Sequence, residues 1–291
     1  MKIILVISDK TGKNILFILD NLQALSLKEA INMMVRGDIS GVHVVGKGGG
    51  KYLRSNPNTT KADNLDSIAI PLASLTQIGM LEKSSVFNKY CKRKEQVLKE
   101  LEKKGEKLIY INGKPKETEK MVVEYLSEYK EIIRSAANDL KVDKYLLGAI
   151  LIDEYLRLDR VDEWRDKLAK LGFDTSVGIA QVKISTARDL IQRGFYPADP
   201  SDKSIAPQKI NQVSMGYLYD YVNDPRHSVY FAAAKINQIK KDFALTYDMR
   251  KLDIIADLYS RGSLKKGEVK ASPRGKQIAT EFIRIAKRVL K

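Results

Sequence analysis

Asp143-Lys144-Tyr145-Leu146-Leu147-Gly148-Ala149-Ile150-Leu151-Ile152-Asp153-Glu154 is the stretch on which the reading of this chain turns. Asp143 has the chemistry of a helix N-cap, and Leu147, Ile150 and Leu151 share one helical face. Glu154 stands three, four and seven residues after Leu151, Ile150 and Leu147, which puts a carboxylate on that apolar face. Burial there disfavours the charged form and raises the pKa above roughly 4.3. A carboxyl kept protonated near neutrality can act as a general acid, the requirement for cleaving a glycosidic bond. The same spacing also fits a Glu at a helix end that points to solvent.

Outward from this stretch, the pattern from about Glu128 to the C-terminus is helical. Ile132, Ile133, Ala136, Ala137 and Leu140 recur at helical spacing. Further helices are expected over Ile184–Ile191, Tyr217–Val222, Val229–Phe243, Leu252–Tyr259 and Lys276–Leu290. Residues 76–127 read as a basic helical connector, with a helix over Val86–Lys104 and a strand ending in an Asn112-Gly113 turn. Residues 1–75 read as a small ββαββ module. Strands 2–7 and 14–19 form a hairpin, a capping box Ser26-Leu27-Lys28-Glu29 opens a helix that stops near Gly37, and short strands flank Gly46-Lys47-Gly48-Gly49-Gly50. That Gly-rich turn fails as a phosphate loop in both registers, since Gly48 or Tyr52 stands where the magnesium-binding hydroxyl belongs. The expected fold class is α+β: the small module followed by a mainly α domain over 128–291.

Composition narrows the chemistry. The 291 residues carry 51 Lys+Arg against 36 Asp+Glu, a formal net charge of +15. Ten Lys/Arg against two Glu lie in Arg261–Lys291, and eleven against six in Lys89–Lys120. Such a field attracts polyanions, whether nucleic acid, anionic lipid or bacterial wall polymers, although a solvated helical surface has the same composition. Aromatic residues are not interleaved with the basic runs as a nucleic-acid stacking platform would want. A single cysteine, Cys91, excludes a disulfide framework, and two histidines, His43 and His227, exclude a three-His metal centre. No metal or cofactor is expected. The run Met1–Ile7 is at or below the short end of a signal-peptide core, roughly 7–15 residues, and no stretch approaches the ~18 apolar residues of a membrane span. The expectation is synthesis in a bacterial cytoplasm with no signal peptide.

Several motifs fall in a known order. Glu154 is followed by Ser176-x-Gly178-x-x-Gln181-Val182 and Thr186-Ala187, then by Asp224-Pro225 before Ser228-Val229, and last by Ala256-Asp257-Leu258-Tyr259-Ser260-Arg261-Gly262. This order over about 128–265 resembles the lysozyme-like lytic transglycosylases. In that family a helix ends in the catalytic Glu, and a "G-L-M-Q" turn, a "D-P-x-x-N-I" segment and an "A-Y-N-x-G" signature follow.

The resemblance implies a lysozyme-like fold and cleavage of the MurNAc–GlcNAc β-1,4 bond of peptidoglycan without a cofactor. Glu154 would be general acid and then base. Gln181 and the Gly178 backbone would line the groove, Ser176 would contact substrate or the turn, Ser228 would bind substrate, and Tyr259 would orient Glu154 by a hydrogen bond. Partners would be glycan strands, anionic wall polymers through the basic C-terminal tail, and a secretion or inhibitor protein. The enzyme would reach the wall by non-classical export or lysis.

The chain departs from the family at Ser228 and Ser260, which replace Asn, and at Tyr155 after the Glu. A muramidase using a second carboxylate, with Asp153, Asp159 or Asp174 as candidates, stays open, as does an inactive glycan- or partner-binding module. Gly50-Lys51-Tyr52-Leu53-Arg54-Ser55 and Asn64-Leu65-Asp66 resemble a short uncharacterised bacterial domain with a "YLRS…NLD" signature.

Overall fold

The computed structural model describes residues 1–9, 11–21, 23–46, 50–56, 65, 68–71, 85–158, 174–197, 206–262 and 270–291. The chain is α+β, a small strand-rich region followed by a mostly helical one. It divides into two compact units whose boundary falls between Gln96 and Val97.

The smaller unit opens on the expected hairpin, β1 (Ile3–Ser8) and β2 (Asn14–Leu19). Asp9 closes its turn by accepting from the amides of Thr11 and Lys13 at 2.8 and 3.0 Å. β3 (Ala24–Ser26) leads into α1 (Leu27–Val35), and the capping box at Ser26 and Glu29 is formed from both sides. β4 (Val42–Gly46) and β5 (Lys51–Ser55) make a second hairpin, while residues 47–49 at its turn lie outside the described residues. β6 (Ala69–Pro71) adds to β1 in parallel and completes a sheet of order β3-β2-β1-β6. Strands β3 and β6 are absent from the ββαββ expectation, because three residues are too few to show an alternating pattern. Val6, Phe17 and Leu25 are adjacent across the sheet and pack with Ala30, Val42 and Leu53 into one core.

α2 (Ser85–Lys103) crosses the boundary, and the larger unit continues with β7 (Leu108–Ile111) and β8 (Lys114–Thr118). Asn112 and Gly113 join these strands with φ of 51° and 74°, as a tight Asn-Gly hairpin requires. Residues 97–127 belong to this unit and are not a connector, since Ile109, Ile111, Val122 and Leu126 enter its core. α3 (Glu119–Glu128) and α4 (Lys130–Asp139) precede α5 (Lys144–Arg157). α5 is capped by Asp143 and buried from Leu146 through Asp153, so it forms the axis of the unit. A two-rung hairpin, β9 (Ser176–Val177) and β10 (Val182–Lys183), feeds α6 (Ile184–Gln192). A 3₁₀ turn over Pro207–Gln212 leads to α7 (Met215–Asn223) and α8 (Pro225–Asp242), the latter capped by Asp224 with Pro225 in its first turn. α9 (Leu252–Arg261) follows.

The C-terminal basic segment is a structural helix. α10 (Pro273–Gln277), a π turn over Ile278–Phe282 and α11 (Ile283–Val289) run on without a break. Ile278, Phe282, Ile285 and Ala286 are buried in the main core, while Lys276, Arg284, Lys287 and Lys291 stay exposed. α11 approaches α5 closely at Gly148, where a Cβ would lie 2.7 Å from Leu290 Cδ1 and 3.3 Å from Ala286 Cβ. Gly148→Val should therefore lower the stability of the larger unit by about 1–3 kcal/mol through overpacking. Urea unfolding followed by near-ultraviolet circular dichroism tests this, and Gly148→Ala should lose less because Leu290 can yield.

Candidate active site

α5 carries two adjacent carboxylates into different surroundings. Asp153 is 1% exposed, and guanidinium groups occupy both its oxygens: Arg157 Nε donates to Oδ1 at 2.8 Å and Arg274 Nε to Oδ2 at 2.7 Å. The Glu154 side chain, 14% exposed, accepts one hydrogen bond, from Arg274 Nη2 to Oε1 at 3.2 Å. Oε2 has no partner among the described residues. Burial pushes the Glu154 carboxyl up to about 7. Arg274 pulls against this, Asp153 adds to it, and Lys235 and Arg157 oppose it. Burial thus raises the carboxyl as its apolar spacing predicts, while the side chains acting on it are the charged Arg274, Asp153, Lys235 and Arg157.

Lys235 of α8 is the second perturbed group. Its ammonium sits 4.0 Å from the Tyr259 ring centroid and donates to the Tyr259 carbonyl at 2.9 Å. Burial brings its pKa down to about 8, with the Glu154 charge working the other way. A carboxyl raised to about 7 and an amine lowered to about 8 thus lie in one site. Strongly shifted neighbours of this kind are typical of functional sites.

The turn between β9 and β10 is held by three elements. Gly178 has φ +72°, and a Cβ there would lie 2.6 Å from Ser228 Oγ and 2.8 Å from the Val222 carbonyl. Only glycine meets both demands. The Ala180 amide donates to Ser228 Oγ at 3.1 Å, and the Tyr259 hydroxyl donates to the Ala180 carbonyl at 3.0 Å. Gln181 takes the left-handed conformation at φ 47°, and its side-chain amide donates back to the Gly178 carbonyl at 2.9 Å. A non-glycine residue in that region marks stored strain, and strained turns concentrate at functional sites.

These contacts amend two expected roles. Ser228 is fully buried, so it supports the turn and does not touch a substrate. Tyr259 is 2% exposed and gives its hydroxyl proton to Ala180, not to Glu154. Burial and then the Glu154 charge raise the Tyr259 phenol, so the ring lies within the field of that carboxyl. Gly178 and Gln181 occur at the turn as expected. Ser176 stands half-buried on β9 opposite Lys183. Ser260 bonds within its own helix, to the Ala256 carbonyl at 3.0 Å. Tyr155 stacks on Tyr125 with ring centroids 4.1 Å apart.

Of the candidate second carboxylates, Asp153 is committed to two arginines. Asp174 caps α6 by accepting from the Ser185 amide and hydroxyl, both at 2.7 Å, and Asp159 lies outside the described residues. Among the described residues, no three His, Cys, Asp or Glu side chains gather as metal ligands would, and no helix is long and apolar enough to cross a membrane.

The sequence marks Asp153 only as a candidate second carboxylate and gives no role to Arg274, Lys235 or Asp257. Asp257 is fully buried on α9, with Arg261 Nε on Oδ1 at 2.9 Å and the Ser272 amide and hydroxyl on its two oxygens at 2.8 and 2.6 Å. Burial works to raise this carboxyl, but Arg261 and Ser272 hold it below the usual range. A charged residue at an apolar helical position was the available signal, since it demands a partner.

Residues 3–68 match a family model described as a protein of unknown function (DUF3892), and the N-terminal region is accordingly a short uncharacterised domain. No lysozyme-like family model matches the chain. A search of the curated proteins finds no match either.

The raised Glu154 carboxyl has a stability signature independent of any reaction. Its midpoint is higher folded than unfolded, so its contribution is full below the unfolded value of 4.5 and is lost as pH rises through about 7. Glu154→Gln should remove that loss, gaining on the order of 3 kcal/mol at pH 8 relative to its effect at pH 4. Urea unfolding of both proteins at the two pH values measures it. Ser228→Ala should leave the buried Ala180 amide unpaired, cost about 1–3 kcal/mol, and speed hydrogen exchange at Ala180.

Proposed function

We propose that this chain is a peptidoglycan lytic transglycosylase that cleaves the MurNAc–GlcNAc β-1,4 bond, with Glu154 as its single acid/base. The observation that carries the reading is the Glu154 carboxyl itself. It is poised near neutrality at the end of a buried helix, partly open to solvent, and within electrostatic reach of Tyr259 from the last of the lysozyme-like motifs.

In this mechanism the protonated carboxyl gives its proton to the glycosidic oxygen as the bond from C1 of MurNAc breaks. The 6-hydroxyl of the same sugar attacks C1, and the Glu154 carboxylate accepts the hydroxyl proton. The product is a 1,6-anhydro ring, no water is consumed, and the carboxyl returns to its starting state. Such a cycle needs one carboxyl. The engagement of Asp153 with two arginines and of Asp174 with Ser185 favours it over a hydrolysis that needs a second. The hairpin turn at Gly178–Gln181, with Ser176 beside it, is the groove-lining element in this reading, and the exposed cations of the C-terminal helix favour approach to an anionic wall.

Digestion of purified peptidoglycan, with mass spectrometry of the soluble muropeptides, tests the proposal. Anhydro-muramyl products should appear with the native protein and fall at least about 10²-fold in Glu154→Gln, the order expected for loss of a general acid. Release at subsaturating substrate should decline as pH rises through about 7, since the acid must be protonated. Reducing-end products would make the protein a muramidase. No release from several wall types would make it a binding module.

A further inference from the structure

We propose that Arg274 is the positioning residue of this site: anchored on Asp153, it holds Oε1 of Glu154 and leaves Oε2 to carry the proton that the substrate receives. The inference rests on the glycan-cleaving reading and adds to it a residue that no family motif supplies.

The first support is the strength of the anchor. Arg274 Nε and Nη2 both reach Asp153 Oδ2, at 2.7 and 2.5 Å, and the same Nη2 reaches Glu154 Oε1 at 3.2 Å. The bond to Glu154 is the longer one, so Asp153 sets where the guanidinium lies. Asp153 is itself fixed from the other side by Arg157.

The second support is the backbone beneath Arg274. Ser272 binds the buried Asp257 through both its amide and its hydroxyl. At Gly275 a Cβ would lie 2.5 Å from the Asp253 carbonyl and 2.8 Å from Asp257 Cβ, so the chain is seated directly on α9. Arg274 is therefore held by its neighbours on both sides.

The third support is chemical. A guanidinium has donors only and keeps its charge throughout the accessible pH range. The carboxyl oxygen that accepts from it is the one without the hydrogen, so in the acid form the hydrogen sits on Oε2. A lysine in the same place would offer charge without a planar fork able to serve two carboxylates at once. The groups that face Glu154 are Asp153 and Arg157 on its own helix, Lys235 on α8, Tyr259 on α9, Tyr125 on α3, and Arg274.

The test uses the intact protein labelled with carbon-13 at glutamate Cδ, with the Glu154 signal assigned by its loss in Glu154→Gln. In Arg274→Gln the Glu154 titration midpoint should rise by about one pH unit or more, because an opposite charge has been removed. The alkaline limb of muropeptide release should move with it. Turnover should fall by up to about 10²-fold with KM little changed, as misplacement of a reacting group does. Arg274→Lys keeps the charge, so it should hold the midpoint near the native one yet still lower turnover. If Arg274→Gln fails to fold, the lysine variant still decides, because native turnover there would overturn the positioning role. A loss of thermal stability with an unmoved midpoint would also overturn it, leaving Arg274 a structural ion pair. If the native protein cleaves no wall while Arg274→Gln still raises the midpoint, the glycan-cleaving reading fails and the Arg274–Glu154 coupling stands.

Discussion

Two carboxylates buried on neighbouring helices, Asp153 on α5 and Asp257 on α9, govern the arrangement of the larger unit. An uncompensated buried charge costs several kcal/mol, so neither aspartate can remain where it is without cationic or hydrogen-bonding partners. The segment around Ser272–Arg274 supplies partners to both, Ser272 to Asp257 and Arg274 to Asp153. The C-terminal helix is therefore docked by directional contacts at its start and by apolar packing along its length. Together they fix one register of that helix on α5, and with it the guanidinium that reaches Glu154.

The hairpin turn is constrained in the same manner by residues distant in sequence. Its backbone would be strained if left alone, because Gln181, a non-glycine residue, adopts positive φ. Ser228 from α8 and Tyr259 from α9 take up the amide and carbonyl of Ala180, and Gln181 closes on Gly178. Tyr259 has a further task, since its ring lies beneath the Lys235 ammonium and its carbonyl accepts from it. One residue thus links the turn to Lys235, a cation whose charge acts on Glu154. Buried polar networks of this kind are costly when incomplete and stiff when satisfied, which suits a turn meant to hold one shape.

The parts of this arrangement that depend on near neighbours were legible in the sequence. The Ser26–Glu29 capping box, the Asn112-Gly113 turn, the Asp143 cap and the placement of Glu154 on an apolar face all rest on spacings of a few residues. What could not be read joins residues far apart. Arg274 meets Asp153 across 121 positions, Tyr259 meets Ala180 across 79, and Ser228 meets Ala180 across 48. Periodicity shows that a buried aspartate needs a partner, but it does not say which arginine among many will serve. The contacts of Ser228 and Tyr259 differ from those their sequence positions suggest for this reason. Their residue types suggested contact with a sugar or an acid, whereas their depth assigns them to the backbone of the turn.

Depth also divides the chain's excess of positive charge. In the C-terminal segment Arg274 faces Asp153 and Glu154 and Arg261 faces Asp257, whereas Arg288 pairs with Glu119 while its own side chain stays half exposed. Lys276, Arg284, Lys287 and Lys291 lie exposed on the same run. The two sets obey different physics. Exposed cations are screened over about 8 Å at physiological salt and act on distant polyanions collectively, whereas pairs removed from water are screened far less. The count of Lys and Arg along this segment sums both sets and so overstates its local excess, since the carboxylates that answer three of the arginines lie earlier in the chain. Because the paired arginines are neutralised by carboxylates of the fold, attraction to a polyanion falls to the outward residues. The electrostatics that poise Glu154 then stay largely independent of the ionic strength around the surface.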